Sequence, residues 1–219
     1  MKALYDSPWH HPFLCWAAHL VFAVALLARK EASPFFTRFF WIFTLEIVTD
    51  ALFTGGWTPV RSPSGLATTL SAMFVVLGDF RYFLLVEYVL ASRFSVGVFL
   101  RALGLALVIP LATAPLSFGD SRVLFLVYES AFVALALLMR FVLIPLRAAK
   151  LPSDRRGFLA MLTGFELVQY LGWAIADVRI LAGHDIGHLI RIVPNLFYYA
   201  GFLWFAWFAL PKTLREGAA

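Results

Sequence analysis

The sequence predicts an all-α polytopic membrane protein with seven transmembrane helices, folded as a single transmembrane domain over residues 1–219. Three observations carry that prediction. Of the 219 residues, 62% are hydrophobic and only 14% are charged, whereas soluble domains carry roughly 25% charged residues. Apolar stretches of about 20 residues, the length that crosses a bilayer as a helix, recur from end to end. The segments between them are far shorter than the roughly 50 residues a soluble domain needs.

The first span, residues 13–29, runs from Phe13 into the basic pair Arg29-Lys30. A signal peptide would close on a small-residue cleavage site, so this span is expected to stay as a membrane helix. Cys15, the single cysteine, has no partner for an internal disulfide and reads as a small apolar residue. Ala32-Ser33-Pro34 breaks the chain, and the second span covers residues 36–56. Gly55-Gly56, followed by Pro59 and Pro63, makes the next break. The third span, 68–91, contains LGDFRYFLLVEY at residues 77–88. The fourth and fifth, 96–114 and 122–144, are separated by Ala114-Pro115, and Leu151-Pro152-Ser153-Asp154 precedes the sixth, 157–179. The seventh, 189–210, holds Pro194 in its first turns, where a missing N–H can kink a membrane helix.

Orientation follows from the loop charges, because cytoplasmic loops carry excess lysine and arginine. Arg29, Lys30, Arg38, Arg93, Arg101, Arg147, Lys150, Arg155, Arg156, Lys212 and Arg215 fall on one side, eleven in all. Lys2, Arg61, Arg122, Arg179 and Arg191, five, fall on the other. The imbalance predicts an outside N-terminus and a cytoplasmic C-terminus, in a bacterial inner membrane. Arg147, Lys150, Arg155, Arg156, Lys212 and Arg215 then form a cytoplasmic contact surface, for anionic lipid headgroups or for a regulatory protein. No basic segment is long enough to fold into a nucleic-acid reader, so direct nucleic-acid binding is not expected.

An internal repeat is suggested by two pairs of stretches. Residues 22–27, FAVALL, resemble 132–137, FVALAL; residues 45–48, LEIV, resemble 165–168, FELV. The pattern corresponds to three spans, a linker span and three more, a plan found in some small transporters.

Ionisable side chains in the hydrocarbon core cost about 2.5–3.5 kcal/mol on insertion scales and therefore face a protein interior. The expected polar network comprises Glu46, Asp50, Asp79, Arg81, Glu129, Glu166, Gln169, Asp177 and Asn195. Glu46, Asp79, Arg81 and Glu166 fall at similar depth near the membrane centre. Asp79 and Arg81 are two residues apart, about 200° around a helix, so each is expected to find its partner on another span. Adding Glu87, the spans hold seven carboxylates against Arg81 and Arg140. That excess points to protonated or cation-neutralised acids.

Gly183-His184-Asp185-Ile186-Gly187-His188 places two histidines four apart, a weak half-site for zinc or copper. It is similar to the HxxxH that opens the last span of seven-span zinc hydrolases of the ceramidase and progestin-receptor type. Resemblance to that family would give His184 and His188 as metal ligands and Asp79 as its acid. The family also uses a serine-x3-histidine at the second span, and no histidine occurs between His19 and His184, so the third ligand is missing. Microbial rhodopsins share the span count and orientation, but span seven has no lysine before Lys212 to carry retinal. No Walker loop, GxSxG or serine–histidine pairing is present. No catalytic residue and no cofactor are therefore expected.

Two functions fit this pattern. One is a membrane sensor or regulator that relays a membrane-side signal to a cytoplasmic partner through a buried protonatable network, as membrane-held anti-sigma factors do. The other is a small-solute or proton/cation-coupled transporter. A homo-oligomer is compatible with both.

Overall fold

The computed structural model describes residues 1–28, 33–60, 65–116 and 121–215; Arg29, Lys30, Arg61 and Pro63 lie outside them. The regular elements among the described residues are helical. In chain order the long ones are α1 (Cys15–Ala28), α2 (Pro34–Thr54), α3 (Gly65–Ala91), α4 (Val96–Thr113), α5 (Ser121–Leu138, carried on to Arg147), α6 (Ser153–Leu181) and α7 (Ile186–Leu196, carried on to Ala209). Each coincides with one expected span to within a few residues. Six are long and apolar enough to cross a membrane, α1 counted with the turns that lead into it from Lys2. The exception is α2. Its 21 residues would reach about 30 Å, but they include Arg38, Glu46, Asp50 and four threonines.

Local chemistry explains where these helices start and stop. Pro34 stands at the first position of α2, where its fixed φ suits a helix and its missing N–H costs nothing. Ser95 caps α4, its hydroxyl accepting from the Val98 N–H at 3.3 Å. Asp154 occupies the first turn of α6, where a carboxylate complements the helix dipole. That helix begins at Ser153, four residues ahead of the expected span. It closes at Gly183, which takes φ +78°, the left-handed geometry glycine supplies at helix ends.

Among the described residues two single turns widen to π geometry, at Met139–Leu143 and Phe197–Gly201, while the chain kinks within Trp9–Leu14, where His11 takes extended backbone (φ −149°, ψ 104°). Pro12 follows that kink, Pro145 lies just after the first wide turn, and Pro194 just before the second. Proline removes a donor from the ladder, and a wider turn lets nearby carbonyls find other partners.

By its contacts the chain falls into two compact units. One comprises Met1–Tyr5 with Gly78–Asn195, the other Asp6–Leu77 with Leu196–Ala219. The second unit is built on aromatic rings. Phe22, Phe36 and Phe40 are fully buried, and the Phe22 ring meets Phe40, Trp204 and Trp207 edge-on, at centroid distances of 5.7, 4.8 and 5.6 Å. Indole N–H groups tie its helices to carbonyls: Trp16 to Val48 at 3.1 Å and Trp204 to Ala18 at 3.3 Å. In the first unit α6 and α7 approach unusually closely. A Cβ on Gly187 would lie 2.7 Å from the Ala176 carbonyl oxygen and 2.6 Å from the Ile180 side chain. Only glycine fits there, and the contact brings Arg191 of α7 against Asp177 of α6.

Candidate functional site

The core of the Gly78–Asn195 unit is polar along its length, in three layers of ionisable side chains. Along α3, Asp79 and Glu87 are eight residues apart, about 12 Å; along α6, Glu166 and Asp177 are eleven apart, about 16 Å. With Asp79 bonded to Tyr170, seven residues or about 10 Å from Asp177 along α6, the layers together extend over roughly 22 Å, against about 30 Å for a bilayer's hydrocarbon core.

The Asp177 layer joins α5, α6 and α7. Asp177 is fully buried, and its Oδ1 accepts from Arg122 Nη1 at 2.7 Å and also from Arg191 Nη1. The same Arg191 nitrogen lies 3.2 Å from Glu129 Oε1, so two acids and two arginines balance. Arg191 also bonds Tyr5.

The Asp79 layer lies at the centre. Asp79, 2% exposed, accepts a hydrogen bond on each carboxylate oxygen, from Tyr128 of α5 and from Tyr170 of α6. Tyr170 is fixed in place by Phe132, stacked at 3.8 Å, and by the edge of Trp173. Trp173 in turn donates to Asn195 Oδ1 at 2.7 Å. Arg81 is fully buried and acts electrostatically on both Asp79 and Glu166. Gln169 makes a long 3.4 Å contact to Glu166. One helical turn below, the Tyr82 hydroxyl donates to Thr163 at 3.0 Å.

The Glu87 layer reaches the surface. The carboxylate has 0% exposure, yet both of its arginines are open to solvent, Arg101 at 53% and Arg147 at 38%. Arg147 grips it with both terminal nitrogens, Nη2 at 2.7 Å from Oε2. Arg101 Nε reaches that same oxygen at 2.8 Å. Beside this clasp, Arg155 Nη1 donates to Ser92 Oγ at 2.6 Å, with Ser92 held at φ 60° where α3 ends.

The expected polar network is thus divided between the units. Asp79, Arg81, Glu129, Glu166, Gln169, Asp177 and Asn195 gather in this one. Glu46 and Asp50 lie on α2 in the other, where buried Asp50 accepts from Thr54 at 2.6 Å and Thr54 stands 3.3 Å from His11 Nε2. Of the basic surface candidates, Lys150, Arg156 and Lys212 are exposed. Arg147 is committed to Glu87 and Arg155 to Ser92. Arg215 turns back to donate to the carbonyls of Trp207 and Phe208 at 2.7 and 3.0 Å, capping the end of α7.

Two readings of the sequence change. Arg101, Arg122, Arg147 and Arg191, assigned there to loops, fold their guanidinium groups onto buried acids, because a long stem lets arginine reach inward from a helix end. The buried acids of this unit not clasped by these four arginines are Asp79 and Glu166, which share Arg81, with Arg140 acting on Tyr82 one turn below. The histidine pair also differs from a helical HxxxH. Helix α7 begins at Ile186, so exposed His184 precedes it, while His188 is buried beneath Tyr5, ring centroids 5.7 Å apart. Among the described residues no three His, Cys, Asp or Glu side chains converge as a metal site would require.

Tyr128, Tyr170, Glu87 and Arg191 belong to the layers but not to the expected network. A signal for Tyr170 was present: Thr163, Glu166, Tyr170 and Asp177 fall at spacings of three, four and seven, one face of α6. No known family model matches the chain, and neither a curated protein nor a solved structure matches it.

Proposed function

We propose that the protein is an integral membrane sensor or regulator whose layered polar core couples a signal on one side of the membrane to a partner in the cytoplasm. In this reading all seven helices cross the inner membrane of a bacterium, the N-terminus is outside, and the Glu87 layer is the cytoplasmic end. The observation that carries it is the Glu87 clasp: a fully buried carboxylate holds two solvent-exposed arginines. Neutralising or displacing that one carboxylate frees two cations at the surface, so a change in the core alters the face a partner meets. The matched Glu46 and Glu166 stretches, with Phe22 and Phe132 both fully buried, support a 3+1+3 duplication as its origin.

The test is photo-crosslinking from Lys150 in native membranes, with identification of what is captured. A specific cytoplasmic protein is expected, and its yield should change several-fold in Glu87→Gln. Capture of lipid or of the protein's own copies alone would overturn the proposal.

The Asp79 layer favours a second reading, coupled transport. Asp79 and Glu166 both act on Arg81, with Arg140 acting on Tyr82 one turn below, so a proton or monovalent cation taken up by either carboxyl shifts the charge balance of the layer. Proton or cation flux into vesicles, abolished by Asp79→Asn, is the expected result for a transporter; absence of flux under every imposed gradient would remove this reading.

A further inference from the structure

We infer that the surface beside the Glu87 clasp is a binding site for one phosphate group, supplied by the headgroup of an anionic phospholipid. The inference rests on the proposed orientation, which sets this end at the cytoplasmic headgroup layer, and it names the signal that the regulator would read.

The site is built from four helix ends. Ser92 and Arg93 close α3, Arg101 lies in the second turn of α4, Arg147 and Lys150 end α5, and Arg155 and Arg156 open α6. Its carboxylates are Glu87 and Asp154. Glu87 is consumed by the clasp, and one Asp154 oxygen accepts from the Arg155 backbone N–H at 2.8 Å. Six cations against two acids leave a strong positive excess.

The clasp itself concentrates that excess. Arg101 Nε and Arg147 Nη2 both bond one oxygen, Glu87 Oε2, at 2.8 and 2.7 Å. Two guanidinium groups this close repel, and a single carboxylate offsets only one of them. Arg101 uses only Nε on Glu87, and its Nη1 lies near Gly97 in the first turn of α4, where a Cβ would come within 3.4 Å. Both of its terminal nitrogens therefore remain for a ligand. Arg155 spends Nη1 on Ser92, and its Nε is buried with no hydrogen-bond partner. A tetrahedral oxyanion suits such a set, because it presents several acceptor oxygens to planar donor forks. Three features argue against diffuse attraction alone: the arginines are held by side-chain bonds, Ser92 is fixed by its backbone, and an unused donor is buried.

The test uses the full chain in phosphatidylcholine nanodiscs, with and without about a tenth of the lipid replaced by phosphatidic acid. Native mass spectrometry reads the lipid retained, and a titration reads the affinity. One saturable phosphatidic acid per chain is expected, weakened about tenfold by Arg101→Gln and by Arg155→Gln, and unchanged by Arg38→Gln, an exposed cation of α2 that is no part of the site. Arg155→Gln leaves the Glu87 clasp intact, so its effect separates ligand binding from folding. A third arm adds inorganic phosphate to phosphatidylcholine discs. Saturable binding there, lost in the same variants, would assign the site to soluble phosphate instead of lipid. Equal losses in all three variants, or lipid retention without saturation, would overturn the inference. Because no partner protein is involved, the site can stand when partner capture fails, or fail when capture succeeds.

Discussion

The two compact units solve the same problem with opposite chemistry. Asp6–Leu77 with Leu196–Ala219 packs aromatic rings around Phe22, whereas Gly78–Asn195 buries Arg81, Asp79, Glu87, Glu129, Glu166 and Asp177 along its axis. Lipid tails are as apolar as a leucine core, so hydrophobicity alone holds neither unit together. The aromatic unit relies on shape, and shape tolerates a substitute of similar volume. The polar unit relies on charge pairing, and a substitute of the same shape without the charge fails. Isosteric substitution is therefore the experiment that separates them.

Asp177→Asn should have the largest effect. The amide keeps the volume but leaves Arg122 and Arg191 sharing only Glu129. Removing one partner of a buried ion pair costs roughly 3–5 kcal/mol, and because Asp177 holds two arginines, unfolding in mixed detergent micelles should show a loss of about 4 kcal/mol. If Arg122→Met is added, part of that loss should return, because one stranded cation is gone.

Phe22→Ala should come next, at about 3 kcal/mol from lost packing, and the volume-similar Phe22→Leu should cost less than about 1.5 kcal/mol. The contrast would collapse if Phe22→Leu proved as damaging as Asp177→Asn. Tyr170→Phe is the intermediate case. It deletes one donor to the Asp79 carboxylate while Tyr128 keeps the other, at a cost of about 1.5 kcal/mol for a bond to a charged group. The same assay reads it.

How much of this was legible in the sequence depends on which period carried the information. The seven helices follow from apolar runs and from breaks such as Ser33-Pro34 and Pro152-Ser153, all local signals. Asp79, Arg81, Glu129, Glu166 and Asp177 were legible because an ionisable residue in an apolar span has nowhere else to go. The arginines that neutralise them were not. Arg122, Arg147 and Arg191 sit at helix ends, where a charge count assigns them to loops, and only the fold shows that their stems reach inward. Membership of a unit was equally hidden. Glu46 and Glu166 occur in matching stretches, yet they belong to different compact units, because partner choice depends on helix rotation that one sequence does not encode locally. The histidines show the converse: HxxxH spacing implies one helix face, but Gly183 at φ +78° puts the helix start between them.

The smallest effect tests whether neutral hydrogen bonds in the polar unit follow the same rule as its charges. Tyr82 and Thr163 are both fully buried, 3.0 Å apart between α3 and α6, and the Thr163 hydroxyl is itself a donor to the Leu159 carbonyl at 2.8 Å. Thr163→Val preserves shape but strands the Tyr82 O–H, at a cost of about 1 kcal/mol. Tyr82→Phe removes the donor while Thr163 still has Leu159, so it should cost less. The double variant leaves no stranded group between them and should be closer to wild type than Thr163→Val alone. Interhelical hydrogen bonds in membranes average about 0.6 kcal/mol, so the ordering of the three variants is the stronger test. A double variant as unstable as the sum of the singles would mean that the polar core is held by each group separately, not by the matching of partners.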